Sequence, residues 1–347
     1  MAIILTDCLP NLTNPFTVLL HTELVRQGYQ ARRLSVLNLL RCRVDAVHLH
    51  WIEHLVCNCR LGWPFGLVFF LIALFVAKIR GIPIVWHAHN IRPHGSAMPS
   101  AVENLLYRFF LSLIDGYVYM SPGANELLLN AWPILASKQS VLVRHGDYRE
   151  CYPVLPSRAY ARSRLGLSED AFIIGSFGVI KKYKNVEHLC RVFKQIASNE
   201  HILRIQGRCG DLKLRGEIEQ AASESDSINY STDWLTDAEY ALEVAACDLI
   251  ALPYSRILNS GNAIFALSMN TPVLVTASAP MSDLMADVGQ DWVYLIGGEL
   301  SAECLRTAID EVREKHVSCE ANLNLYRWTN VGDSLKAFFE SLNRKLS

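Results

Sequence analysis

Nowhere in its 347 residues does the chain contain a Cys-x-x-Cys pair, a His-Glu-x-x-His motif or an Asp-x-Asp pair. The first two absences remove the commonest local signatures of a structural zinc site and of a zinc hydrolase. Charge excess is lacking too: the formal net charge is −1, which argues against a general nucleic-acid binder. The N-terminal "MAIILTDCLP" has no basic region and no cleavage-site pattern, so no export signal is expected. Ten scattered cysteines form no even framework of the kind found in small secreted domains, and reduced thiols in a cytosolic compartment are expected. Low-complexity tracts and short-period repeats are missing as well.

What is present is apolar residue content, 51%, with 19% charged residues, a balance that suits buried parallel strands. The small net charge hides an asymmetry. Residues 1–160 carry 14 Lys+Arg against 9 Asp+Glu, and residues 161–347 carry 19 against 25, so the first half is the one suited to an anionic partner. Arg60 and Lys78 bracket seventeen uncharged residues, "LGWPFGLVFFLIALFVA", just short of the roughly 20 that span a bilayer. Two readings stand: a buried crossover helix, or a helix whose Trp/Phe face dips into a membrane surface.

Short apolar runs alternate with helical patterns almost from end to end. Strands are predicted at 2–7, 30–36, 46–51, 82–89, 116–121 and 140–146, then at 172–178, 202–207, 228–234, 249–254, 272–277 and 292–297. Helical stretches separate most of them. Two sets of βα units imply an α/β protein of two doubly wound, Rossmann-like domains. The expected domains are 1–155, joined by a closing helix at 328–347, and 165–325, with a linker in 148–166. In such sheets ligands bind beyond the carboxyl ends of the strands, so the segments there carry the functional information.

Six of eleven histidines, His48, His50, His54, His87, His89 and His94, fall in "VHLHWIEH" and "VWHAHNIRPH". His48 and His50 share a strand face, but the spacings match no metal motif, and Cys57-x-Cys59 cannot easily place both sulfurs on one tetrahedral ion. No metal is expected. Any one of these histidines can be a buried, hydrogen-bonded core residue, His48 foremost because it lies inside its strand. By position, His50 and Glu53 follow one strand end while His89, Asn90 and His94 follow the next. Imidazoles there can donate to sugar hydroxyls or phosphate oxygens, and a carboxylate or histidine can serve as general base.

In the second half, "SFGVIKKYKN" places Gly178, where backbone can approach a ligand, ahead of Lys181, Lys182 and Lys184 and a helix start. This pattern reads either as a solvated turn or as an anion clamp. "LPYSRILNSGNAIFALSMNTPVLVT" ends a strand near Tyr254 and opens a helix at Ser260, Gly261 and Asn262. Backbone N–H groups of Gly261 and Asn262 then point off the helix toward a diphosphate, and capping by Asn259 or Ser260 is compatible with that.

The ordered set "HLHW…E", "VWHAHNIRPH", "SPGANELL", "RHGDY", "FGVIKKYKNVEHL" and "ALPYSRILNSGNAIFALSMNTPVL", with its closing Trp-containing helix, resembles GT-B glycosyltransferases over nearly the whole chain. Within that fold it looks most like bacterial exopolysaccharide enzymes of the xanthan-type β-mannosyltransferase kind. The resemblance implies a GT-B architecture, two domains facing across a cleft, with the C-terminal helix crossing back to the first. It also implies diphosphate contacts at Lys184 and the Ser260–Asn262 turn, and base contacts from the backbone of Trp234 and Leu235, near Asp237 and Glu239. His89 matches the cleft histidine near the donor sugar. The loop of Asn14 and Pro15, together with His50, Glu53 and His94, falls on the acceptor side.

The chain departs from retaining members of the fold. Ile257 and Phe265 stand where those enzymes commonly carry two glutamates, and Val179 where a phosphate-loop arginine is usual. An inverting enzyme is therefore expected, with Glu53 or His50 as base. The implied reaction moves a hexose, mannose from a GDP-sugar being favoured over a UDP-sugar, onto a lipid-linked saccharide. It uses no cofactor and takes place in peripheral contact with the anionic inner face of the cytoplasmic membrane. Two rivals remain: a non-hydrolysing nucleotide-sugar epimerase of the same fold, and a non-catalytic nucleotide-sugar or lipid-binding protein.

Overall fold

The structure, a computed structural model, describes residues 2–11, 14–92, 98–198, 200–315 and 320–346. The chain divides into two compact units, Met1–Gly146 with Leu325–Ser347, and Asp147–Asn324. Each is built around one six-stranded sheet in which every pairing is parallel.

The first sheet runs β1 (Ala2–Thr6), β2 (Tyr29–Arg33), β3 (Ala46–Leu49), β4 (Ile84–His87), β5 (Gly116–Tyr119) and β6 (Gln139–Leu142), in spatial order β2-β1-β3-β4-β5-β6. The order reverses between β1 and β3. Both faces of β3 and β4 are buried, which explains why they read as apolar runs rather than as alternating patterns. In their register His48 lies opposite Val85 and Leu49 opposite Trp86, so residues 48, 50, 87 and 89 share one face.

The second sheet runs β7 (Phe172–Phe177), β8 (His201–Gln206), β9 (Ile228–Ser231), β10 (Leu249–Leu252), β11 (Val273–Thr276) and β12 (Val293–Ile296), ordered β12-β11-β10-β7-β8-β9. Its reversal lies between β7 and β10. This is the dinucleotide-fold order, with the ligand site predicted beyond those two strand ends.

The C-terminal helix Trp328–Leu346 belongs to the first unit, seated where glycines leave room. A Cβ at Gly146 would meet the Trp328 indole at 2.2 Å, one at Gly116 the Phe338 ring at 2.6 Å, and one at Gly332 the Glu23 carboxylate at 2.1 Å. The unit boundary falls earlier than the expected 148–166 linker. That segment joins the second unit through polar contacts that leave no apolar period to read. Arg149 donates to Asn270 Oδ1 and the Ala321 carbonyl, both at 2.8 Å, and Arg162, only 2% exposed, donates to Asp248 at 2.6 Å.

The helix Trp63–Ile79 is buried along one stripe only, so the buried-crossover reading holds for half of it. Gly66, Phe70, Ala73, Leu74 and Ala77 are buried, while Phe65, Val68, Phe69, Ile72, Phe75 and Ile79 on the opposite stripe are 44–70% exposed. Among the described residues no helix is long and apolar enough to cross a membrane. No disulfide joins the nine described cysteines.

Candidate active site

In the first unit the switch point is occupied by a carboxylate. Asp7 follows β1, and its two oxygens accept the backbone N–H groups of His50 (2.8 Å) and Trp51 (2.7 Å), which follow β3. Burial raises its carboxyl to about 6 against those two hydrogen bonds, although the side chain keeps some exposure to solvent. A carboxylate with that affinity for protons, at a strand-end crevice, has the properties of a general base. Asp7 carries no local signal of its own, because a strand expected at 2–7 absorbs it as the last strand residue. The strand ends at Thr6, and a boundary one residue earlier would have exposed it.

Beside it, the shared face of β3 and β4 gathers His48, His50, His87 and His89. His50 Nδ1 and His89 Nε2 are 2.8 Å apart, and His48 Nε2 and His87 Nδ1 are 3.2 Å apart. The rings of His50 and His87 stack at 4.8 Å, as do those of His87 and His89, and Trp51 covers His89 at 4.4 Å. Burial holds all four imidazoles below the ordinary histidine range, His48 at about 3, and for His50, His87 and His89 neighbouring histidines push the same way. They are neutral at pH 7, and so act as donors and acceptors rather than as standing charges. His48 is, as expected, a buried and hydrogen-bonded core residue, but His48 Nδ1, His50 Nε2 and His87 Nε2 are buried without a hydrogen-bond partner.

Glu53 does not sit in a strand-end loop. It lies in the first turn of the helix Ile52–Cys57, 7% exposed, where Tyr107 Oη donates to it at 3.0 Å. Tyr107 in turn stacks on Trp132, so Glu53 is tied into packing between helices. Asn14 and Pro15 open the helix Pro15–Arg26, with the Asn14 carbonyl accepting from Thr17, while the expected acceptor-side His94 lies outside the described residues.

The second unit assembles its expected residues at the β7/β10 switch point. Gly178 follows β7 with φ +94°, and a Cβ there would stand 3.4 Å from Asn262 Nδ2 and 3.7 Å from Lys184 Nζ. Asn262 Nδ2 donates to the Phe177 carbonyl (2.9 Å) and to Tyr254 Oη (3.0 Å). Lys184 Nζ stands over the Tyr254 ring at 5.3 Å, and burial, with Lys181 nearby, lowers its ammonium to about 8. Asn185, in the left-handed region at φ 53°, donates its side-chain amide to the Pro253 carbonyl, which stitches the lysine loop to the end of β10. Ser260 Oγ caps the helix Gly261–Ser268 by accepting from Ala263, leaving the N–H groups of Gly261 and Asn262 at the helix start without intrahelical acceptors. The arrangement is a glycine-floored pocket edge with one part-buried cation and a helix N-terminus, suited to a diphosphate.

Lys181 is exposed, at the rim of this loop. Trp234 and Leu235 lie in the loop after β9; Trp234 is 56% exposed, with the Arg208 guanidinium over its ring at 5.0 Å. Glu239 is occupied in a capping box with Thr236. At the two positions where retaining enzymes carry glutamates, Phe265 is buried against Tyr240 and Tyr148, and Ile257 is half-buried.

No family model matches the chain. It is 27% identical over 334 residues, 96% of this chain and 90% of the other, to a GDP-mannose:glycolipid 4-beta-D-mannosyltransferase of Xanthomonas campestris. Among solved structures it resembles sucrose-phosphate synthase from Thermosynechococcus elongatus, with TM-score 0.67, 16% identity, and 100% and 97% of the two chains covered. It also resembles Anabaena HepE in complex with UDP-glucose, with TM-score 0.61, 15% identity, and 100% and 98% covered. The fold is GT-B, and the mannosyltransferase resemblance extends along 96% of the chain.

Proposed function

We propose that this glycosyltransferase of GT-B fold moves a mannosyl group from GDP-mannose to a lipid-linked saccharide with inversion at the anomeric carbon. The observation that carries the reading is the donor cradle of Gly178, Lys184, Tyr254 and the Ser260–Asn262 turn, at the switch point of a dinucleotide-order sheet. Lys184 and the helix N-terminus meet the charge of the leaving diphosphate, so the donor needs no ion of its own. The name of the Xanthomonas relative supports the GDP-mannose donor and the glycolipid acceptor.

In the first unit, Asp7 takes the proton of the attacking acceptor hydroxyl as that oxygen bonds to the anomeric carbon and the bond to the diphosphate breaks. Residual exposure favours it over Glu53, whose carboxyl burial also raises but which is enclosed and engaged by Tyr107, and over His50, whose buried imidazole holds a proton too weakly. Inversion is supported by the absence of a carboxylate at Ile257 and Phe265. Peripheral binding to the anionic inner membrane face is supported by the exposed apolar stripe of the helix Trp63–Ile79, by the exposed Arg60 just before it and by the exposed Arg108 on the helix Ser100–Leu113.

The test uses the full chain with radiolabelled GDP-mannose, GDP-glucose, UDP-glucose and UDP-galactose and a lipid extract carrying polyprenyl-diphosphate saccharides. Label from GDP-mannose in the lipid fraction, released by β- but not α-mannosidase, is expected. Transfer from a UDP-sugar alone, or an α-linked product, overturns the reading.

A further inference from the structure

The histidine face does more than the transfer reaction asks of it. Sugar transfer needs at most one imidazole toward a substrate, yet four are packed on two adjacent strands. After their two mutual contacts are made, His48 Nδ1, His50 Nε2 and His87 Nε2 still lack partners inside the protein. Neutral imidazole has one donor and one acceptor nitrogen, so the His48–His87 contact leaves one unmet donor and one unmet acceptor whichever tautomers are drawn. A buried polar atom without a partner is costly, and these three belong to rings whose centres lie 4.4–5.3 Å apart.

We propose that His48, His50 and His87 bind one divalent transition-metal ion of the zinc type, buried on the shared face of β3 and β4 in the first unit. One ring nitrogen from each of the three lies within 4.8 Å of the others. A tetrahedral ion with metal–nitrogen bonds near 2.0–2.1 Å holds its ligands ~3.4 Å apart, a contraction that small side-chain rotations supply. An all-imidazole set selects zinc, copper, nickel or cobalt over magnesium or calcium, which take oxygen. The surroundings complete the requirement. His50 has His89 2.8 Å from its other nitrogen, the outer contact that orients a ligating imidazole, and the Asp7 carboxylate is attached to the His50 backbone N–H.

The local sequence concealed this because the ligands follow no single-segment motif. His48 and His50 come from alternate positions on one strand, and His87 comes from its neighbour 37 residues past His50. The ion would clamp the ends of β3 and β4, fixing His50 and, through it, His89. Its role is positional, and its binding is read without any sugar transfer.

Untagged full-length protein is stripped with a chelator and titrated with Co²⁺, then with Zn²⁺ in competition. One equivalent of Co²⁺ is expected, with the visible bands of a four- or five-coordinate ion, displaced by Zn²⁺. X-ray absorption of the Zn²⁺ form should show three imidazole nitrogens. His48→Gln and His87→Gln should each weaken binding on the order of 10²-fold, while His188→Gln, in the other unit, leaves it unchanged. Absence of saturable one-to-one uptake by the wild type, fewer than three imidazoles in the absorption spectrum, or equal binding by wild type and the folded His48→Gln/His87→Gln double variant overturns the proposal. If the variants fail the far-ultraviolet circular dichroism check for folding, the wild-type stoichiometry and absorption spectrum decide.

Discussion

Lys184 Nζ stands 5.3 Å from the centre of the Tyr254 ring, and among the described residues no carboxylate pairs with it. A cation held out of water beside a helix N-terminus is stabilised when an anion arrives. Lys184→Ala should therefore weaken GDP binding by about 10–100-fold in calorimetry, the worth of a charge-assisted hydrogen bond. In the wild type the affinity should also decline as pH rises through about 8, where the free ammonium loses its proton, and the alanine variant should lack that decline. A dissociation constant within twofold of wild type removes Lys184 from the donor site.

Asp7 should govern the acidic limb of the rate profile. With its carboxyl near 6, kcat/KM rises as pH passes upward through that value and the base form accumulates. Asp7→Asn should cost roughly 10²–10⁴-fold in kcat/KM and abolish the limb. Glu53→Gln, which keeps an oxygen to accept from Tyr107, should lose less than about tenfold. The reverse ranking would transfer the role to Glu53.

Much of the architecture was legible because a parallel sheet buries both faces of its strands. β3, β4, β7 and β10 stand out as apolar runs, and Gly178, Lys184, Tyr254 and Asn262 fall beside strand ends in the sequence alone. What escaped notice was set by tertiary contacts that leave no local pattern. The helix Arg158–Leu165 is anchored by Arg162 on Asp248, a contact 86 positions away, and so its sequence reads as linker. Glu53 was placed by its nearness to a strand end, but the helix Ile52–Cys57 begins at once and carries it toward Tyr107. The nearness of His87 to His48 and His50 was likewise invisible, because spacing along the chain is blind to the register of two strands.

The histidine face should make the metal-free protein acid-labile. In the unfolded chain each imidazole takes a proton near 6.5, whereas folded His48 does so only at about 3. Between those values the unfolded state binds more protons, so the stability present above about pH 6.5 is lost as pH falls, at ~1.4 kcal/mol per pH unit for His48 alone. His50, His87 and His89 shift in the same direction. Denaturant unfolding at pH 7.0, 6.0 and 5.0 measures it, and His48→Gln should reduce the slope by about one proton. A free energy of unfolding that is flat over that range would contradict the burial of these rings.

The outward stripe of the helix Trp63–Ile79 offers the most direct test of membrane contact. Phe65, Phe69 and Phe75 are all more than half exposed, and the helix Ser100–Leu113, in contact through Phe70 and Phe110, exposes Leu105 and Phe109 as well. Since these rings already face solvent, replacing them leaves the core untouched. A ring entering the headgroup boundary contributes about 1–2 kcal/mol, so Phe69→Asp/Phe75→Asp should lower partitioning onto phosphatidylglycerol-containing vesicles by roughly 10²-fold, with the melting temperature unchanged. Raising salt should weaken what remains if Arg60 and Arg108 meet anionic headgroups. Co-sedimentation of the double variant equal to wild type would show that the stripe covers some other surface.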